Sequence, residues 1–394
     1  MQKSNYFVRI AAINLFTRSI YQNLNISNFH MLEKNLMTFQ NTGGRKTFRI
    51  LASVFLLTIC TITARAHVKW FFDYDVTKPP TPIGEVLDGT FVKLFLVSVA
   101  ACYLFFLIDR YIYEEGILAE FDKKLKLFDR AADYIMRAAA GVFFLALFGW
   151  WAFGMGQSFY LTPELKTASP IVPWIHLLMA LAVVSRYTSF LTGLGVFALY
   201  IAAAFDYGIF HMLDYMIFLG IGFYLTVSQT KNKNLLKSGF IVLFACTGLT
   251  LIWAAVEKFA YSHWTIAVLE DRPHMLMGMS APVFMKVSGF IEFFVTFILL
   301  GAVSVVGRLI SLCFMSVFVL AVFEFGTLDA VGHLMIVAIL WVLVVRGPTD
   351  ARNMLVLPDK SLFTEAYFMT GLYFLAFVMI FILYYGIHFY AYGS

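Results

Sequence analysis

Residues 239–258 read GFIVLFACTGLTLIWAAVEK, eighteen uncharged residues followed by Glu257 and Lys258. A bilayer core about 30 Å thick takes about 20 consecutive apolar residues in one helix. This run has that length and meets its first charges only at its end, so it reads as a membrane span. Eight further blocks of comparable length lie on either side: 90–109, 132–153, 172–187, 188–206, 209–227, 281–302, 304–324 and 328–346. A tenth, 363–390, is long enough to tilt or to project. The expected fold is all-α, a polytopic transmembrane helix bundle of about ten spans in a lipid bilayer.

Composition agrees. Of 394 residues, 61% are hydrophobic and 13% charged, where a soluble domain has about 45–50% and about 25%. That excludes a soluble enzyme and a disordered chain. The net charge of +5 from 29 basic and 24 acidic residues is no signature of nucleic-acid binding. The four cysteines, Cys60, Cys102, Cys246 and Cys313, each sit inside an apolar block and form no C-x-x-C, so they read as small buried side chains.

Before the first block, residues 1–66 read as an extension plus a targeting segment, with the natural start expected at Met31 or Met37. Arg45, Lys46 and Arg49 precede the 13 apolar residues 50–62, and Ala64-Arg65-Ala66 follows. This pattern matches a secretory signal peptide; an uncleaved short first helix is the alternative. Cleavage after Ala66 would make His67 the first residue.

With His67 outside and the chain alternating through every block, the inner loops hold thirteen basic residues: Arg110, Lys123, Lys124, Lys126, Arg130, Arg186, Lys231, Lys233, Lys237, Arg308, Arg346, Arg352 and Lys360. The outer loops hold four: Lys69, Lys78, Lys166 and Arg272. Basic residues favour the cytoplasmic side. The expected location is a bacterial-type inner membrane, with both mature termini outside.

An internal repeat divides the middle of the chain. Unit one is 132–229 and unit two is 239–346. Each has four blocks, a long outer loop (154–171 or 259–280), a turn at a lone arginine (Arg186 or Arg308), and an outer turn at Phe205-Asp206-Tyr207-Gly208 or Glu324-Phe325-Gly326. Two parallel four-helix units are expected, flanked by an arm, span and inner loop at 67–131 and by the last span at 363–390. The inner loop Asp109–Arg130, of mixed charge, reads as a solvated or interfacial amphipathic helix.

Several stretches of unit two carry a family likeness. Gly248–Phe259 (GLTLIWAAVEKF), Gly289-Phe290-Ile291-Glu292, the turn at Arg308, Gly326 and Gly332-His333-Leu334 resemble DoxX-type four-helix membrane modules. Unit one lacks a counterpart of the Glu257-Lys258 pair and of Glu292. The resemblance implies the helix plan. It also implies kinship with proteins of which some are membrane subunits of quinone-linked sulfur oxidation.

Histidine placement is one-sided. His67, His176, His211, His263, His274, His333 and His388 all fall in outer loops or outer halves of spans. Imidazole is the commonest metal ligand and titrates near neutrality, though such rings also populate membrane interfaces. The run His274-Met275-Leu276-Met277-Gly278-Met279 adds thioethers, which with imidazole select Cu(I) but also fill apolar gaps. His67, as a free N-terminus, would add an amine and a ring. The expected ligands are His67, His263, His274, Met275, Met277, Met279 and His333.

Among acids and bases inside spans, Glu257, Lys258, Glu292, Glu324 and Asp329 stand out. A carboxylate in hydrocarbon is expensive unless paired, so Glu292 is expected to pair with Lys258 or Lys286, with a relay running outward through Glu324, Asp329 and His333. The leading expectation is copper handling at the outer face, with a soluble metal carrier as partner. The alternatives are a membrane anchor of a quinone-linked oxidoreductase with a soluble redox partner, and a structural membrane protein without ligand. Whether the chain is an enzyme stays open at this point.

Overall fold

A computed structural model describes residues 74–393 apart from 271–272, 311, 314–315, 317–325 and 356–360. Residues 1–66, His67, Glu324 and most of block 304–324 lie outside the described residues.

Helix α1 (Gly89–Glu114) is followed by α2 (Ala119–Lys126) and α3 (Ala132–Trp150). A hairpin of β1 (Ser158–Phe159) and β2 (Lys166–Thr167) leads to the short α4 (Val172–Ala182). Next come α5 (Ser189–Tyr207), α6 (Ile209–Val227) and α7 (Lys233–Ala260). The shorter α8 (Ser262–Glu270) precedes α9 (Ala281–Gly301), α10 (Thr327–Arg346) and α11 (Leu362–Tyr392). Among the described residues, eight helices are long and apolar enough to cross a membrane: all of these except α2, α4 and α8.

Block 172–187 was expected to span. Its helix has 11 residues, which at 1.5 Å per residue covers about 16 Å, roughly half a bilayer core. The helix stops because Thr188 Oγ1 donates to the Ala182 carbonyl (2.6 Å), closing its C-terminal end into a turn. Elsewhere polar side chains start the helices. Asp88 accepts from the Phe91 amide at the head of α1, and Ser361 accepts from Thr364 at the head of α11. Between α5 and α6 the backbones touch, because a Cβ on Gly193 would lie 2.5 Å from the Gly222 carbonyl.

Two apolar cores divide the chain differently from the sequence repeat. The first gathers α3, α4, α5, α6, the N-terminal half of α7 and α10, with Met136, Phe143, Val196, Ile221, Leu243 and Ile339 among its buried members. The second gathers α1, the C-terminal half of α7, α9 and α11 around a phenylalanine cluster that includes Phe91, Phe259, Phe290 and Phe377. Helix α10 packs on α3, and α11 packs on α1.

Polar side chains collect in two rims. One rim holds the arginines. Buried Arg308 donates to the Val344 carbonyl (2.7 Å) and pairs with Asp122. Arg346 bonds Asp129 (3.1 Å) and covers the Phe240 ring. Asp109 accepts from the amides of Val303 and Ser304. Arg352 donates to the Gly301 carbonyl (2.6 Å) and pairs with Glu365, which Arg110 also approaches. The other rim ties Tyr385 to the Thr81 carbonyl, Tyr261 to the Lys78 carbonyl and Lys286 to Asp88. The two arginine turns differ: Arg186 is exposed, whereas Arg308 is fully buried. Burial opposes ionisation of Asp122, but Arg308 and Lys126 outweigh it and hold that carboxyl below the usual aspartate range. That tie is therefore intact at neutral pH and is lost as pH falls through the lowered value.

Arg352 and Glu365 have side chains 1% and 2% exposed. Removing one partner of such a pair strands a buried charge, at a cost of about 3–5 kcal/mol. Glu365→Gln is expected to lower the unfolding temperature of the detergent-purified protein markedly, and Arg352→Met with Glu365→Met less so. Equal losses in both would show that the pairing itself contributes nothing.

Candidate functional site

The loop 154–171, expected as an outer loop, folds back into the bundle. After α3 a π-turn at Trp151–Met155 unwinds the helix, and Gly154 and Gly156 take φ of 81° and 74°. These left-handed angles favour glycine, and they let the chain reverse. The strands pair antiparallel, Ser158 with Thr167 and Phe159 with Lys166. Within the hairpin the Tyr160 amide donates to the Leu165 carbonyl (2.7 Å). Its tip is deeply buried: Leu161 and Leu165 are 0% exposed and Thr162 is 2% exposed. Non-helical backbone at membrane depth is tolerated only where protein covers it or where it lines a cavity.

Four side-chain ties hold the hairpin. Tyr160 Oη donates to Asp206 (2.6 Å), and this carboxylate pushes the phenol up from its ordinary range. His176 Nε2 bonds the Tyr160 carbonyl (2.9 Å), and Tyr207 Oη donates to the Lys166 carbonyl (2.8 Å). Glu164 Oε1 lies 2.8 Å from His211 Nε2, with the Tyr74 hydroxyl 3.3 Å from the same nitrogen. Glu164 and His211 are both buried.

A second acid–imidazole pair stands at the start of α10. Asp329 Oδ2 is 3.2 Å from His333 Nδ1, and the same nitrogen bonds the Asp329 carbonyl. Asp329 is fully buried in the first turn of its helix, where the helix dipole favours an anion. One turn on, Gly332, Met335 and Ile336 form part of the wall of a small cavity, with about 20 Å³ open to water centres. The rest of the wall is Thr162 from the hairpin, Asp214, Tyr215, Ile217 and Phe218 from α6, and Thr250 from α7. Three buried carboxylates, Glu164, Asp214 and Asp329, thus gather at one rim. The buried basic side chains among the described residues, Arg308 and Arg352, belong to the other.

The expected site residues divide. Lys258 pairs with Glu292, as expected, while Lys286 goes instead to Asp88 (2.6 Å). The Lys258–Glu292 pair joins α7 to α9 and stays partly exposed, away from the Asp329–His333 pair on α10. Glu257 is half-buried at the end of α7. His333 is buried against Asp329, whereas His263 is exposed and stands edge-on to Tyr261 and Trp264. Met277 is 50% exposed, and Met279 packs on Leu269, Phe284 and Met285. The side chains of His274 and Met275 lie outside what is described. Among the described residues, no three His, Cys, Asp or Glu side chains converge into a group able to hold a metal ion. Glu164, Thr162 and Thr250 were not singled out from the sequence. Only the Pro163-Glu164 step in the middle of the loop hints at them.

No family model, curated protein or solved structure matches the chain.

Tyr160→Phe removes the tie to Asp206, which is itself exposed, and is expected to cost about 1 kcal/mol. The measurable outcome is faster amide exchange across 158–167 with unchanged exchange in α1 and α11. Unchanged exchange in the hairpin would mean that this hydroxyl does not hold it.

Proposed function

We propose that the chain is an integral protein of a bacterial-type inner membrane, built on a DoxX-like plan, whose outward rim binds protons. In this reading the arginine-rich rim faces the cytoplasm, the chain crosses the bilayer ten times with the hairpin and the half-span α4 together making one crossing, and both mature termini lie outside. The positive-inside bias of the loops supports the orientation.

One observation carries the proton reading: Glu164–His211 and Asp329–His333 are buried acid–imidazole pairs on one rim, beside a further buried carboxylate, Asp214. A carboxylate and an imidazole in contact share one proton as an ion pair or as two neutral groups. A second proton makes a carboxylic acid beside an imidazolium. At low dielectric that added charge is costly alone, and a nearby anion offsets it. Asp214 supplies that anion. The interior between the cavity and the arginine rim is filled by residues such as Ile339, Leu340 and Leu343, all buried. The cluster is thus set apart from the arginine rim by apolar packing, and in this reading it takes up protons for chemistry or binding at the outer face.

Infrared difference spectra across a pH titration test this. A protonated-carboxyl band is expected to titrate in the parent protein and to lose intensity in Asp329→Asn. A parent protein without a titrating carboxyl band ends the reading.

Copper handling at the same rim is the second reading. It is favoured by Met277, whose thioether is half exposed and whose φ of 49° is unusual for a residue other than glycine. Purified protein challenged with copper is expected to retain it, and His274→Ala with Met277→Ala to lose it. No retained copper in the parent removes this reading and leaves the proton site untouched.

A further inference from the structure

Arg186 sits in the turn between α4 and α5, and its guanidinium is held in place without being neutralised. Its Nη2 donates to the Ser228 carbonyl, just past the end of α6 (3.3 Å). The turn is braced from α3, where Arg137 donates to the Val184 carbonyl (3.0 Å) and to Asp133 (3.0 Å). The α6–α7 connection that carries Ser228 is tight. The Thr230 amide donates to the Val227 carbonyl, and Asn232 caps α7 at the Asn234 and Leu235 amides. Lys231 and Lys233, both exposed, therefore lie at the same corner as the Arg186 guanidinium. Residues 183–189 and 228–237 contain no acid. Arg137 and Lys237 find carboxylates in Asp133 and Asp350, but among the described residues Arg186, Lys231 and Lys233 pair with none. Three positive charges thus share one corner without a counter-charge from the protein. Apolar surface adjoins them: Leu181, Val184, Leu191 and Leu194 are exposed, and Tyr187 is 82% exposed.

We infer that this corner binds one anionic phospholipid, its phosphate on Arg186 with Lys231 and Lys233 alongside, and its acyl chains along the exposed apolar face of α4 and α5. A guanidinium presents five N–H donors in a plane, and the Ser228 carbonyl takes one of them. The others match phosphate oxygens, which arginine recognises as a bidentate pair. The same carbonyl holds Arg186 in position beforehand, so little side-chain freedom is lost on binding. The apolar neighbours decide between partners. An acidic protein or a free phosphate ester leaves Leu181, Val184 and Leu191 uncovered, whereas a phospholipid brings acyl chains together with its charge. Exposed Tyr134 and Tyr187 are the rings expected at the level of headgroups. Clustered bases at the membrane surface favour anionic headgroups, and a zwitterionic lipid has no net charge to offer them. Arg308, at the other arginine turn, differs: it is buried and paired with Asp122. One arginine turn fastens helices and the other holds lipid. The inference needs only the bilayer, and neither the orientation of the chain nor the proton reading.

The test is native mass spectrometry of the full chain in detergent, titrated with phosphatidylglycerol or with phosphatidylcholine of the same acyl chains. Saturable binding of phosphatidylglycerol is expected, with phosphatidylcholine held roughly tenfold more weakly. Arg186→Gln is expected to weaken phosphatidylglycerol binding by about tenfold, and Lys231→Gln with Lys233→Gln by at least as much. The lysine variant changes only exposed residues, so it carries the test even where Arg186→Gln fails to fold. Lys123→Gln, which removes an exposed base paired with Glu120 on α2, is expected to leave binding unchanged. Unfolding temperatures in phosphatidylcholine alone, expected to match the parent, separate lost binding from lost fold. Equal affinity for the two lipids, or full phosphatidylglycerol binding in either variant, overturns the inference. An equal loss in Lys123→Gln overturns it as well, because the attraction is then diffuse surface charge. Displacement of the lipid by soluble glycerol phosphate does the same, because the ligand is then a free phosphate ester.

Discussion

A few residues of non-helical backbone, the Tyr160–Leu165 tip, sit inside the end of a helix bundle, and the remaining polar architecture of that rim answers to them. Hydrocarbon offers no hydrogen bonds, so each exposed amide or carbonyl at that depth costs several kcal/mol. The hairpin meets the demand partly by itself, through its own short ladder, and partly by borrowing: His176 serves the Tyr160 carbonyl, and Tyr207 serves that of Lys166. The borrowing explains why α4 is short. The bundle end that a full span would occupy is filled by the hairpin, and α4 has only the remaining depth to cover.

The two rims solve the problem of buried charge with different chemistry. Arg308 and Arg352 keep their charge at every accessible pH, so their pairs with Asp122 and Glu365 are fixed fastenings between helices. Glu164–His211 and Asp329–His333 instead set a carboxylate against an imidazole, a neutral or charged partner according to its proton. Burial raises the stakes at both ends. That division also fits the packing. The arginine pairs hold α1, α10 and α11 in register, and the acid–imidazole pairs stand where the irregular segment enters.

Spans are legible from the length of apolar runs because hydrocarbon thickness leaves little freedom, and seven of the eight long helices match their blocks within a few residues. The eighth, α7, matches its block at the outer end and begins earlier, at Lys233. The failure at 172–187 has the same root: apolar content marks burial, and a half-span packed against a hairpin is as apolar as a full one. Lys258 with Glu292 was foreseeable, since two charges in neighbouring spans have few places to go. The Asp206-Tyr207-Gly208 turn was legible as a turn, and Gly208 does take a φ of 81°. Its deeper use was not: Asp206 holds a hydroxyl 46 residues away, and no local pattern encodes that. Thr162 and Thr250 leave no trace at all, because a threonine among apolar residues reads as a helix or strand position whichever way it faces.

The face of α10 that begins at Asp329 carries both an acid–imidazole pair and part of the cavity wall. Asp329, Gly332, His333 and Ile336 follow one another at helical spacing, so the acid–imidazole pair and the cavity wall lie on the same stripe, about one turn or 5.4 Å apart along the axis. Charges that close in a poorly screened interior do not titrate independently; they share macroscopic steps. Because Gly332 presents no side chain between them, nothing on this stripe insulates one from the other. The geometry thereby makes one coupled unit of the rim, with the hairpin tip as its third wall.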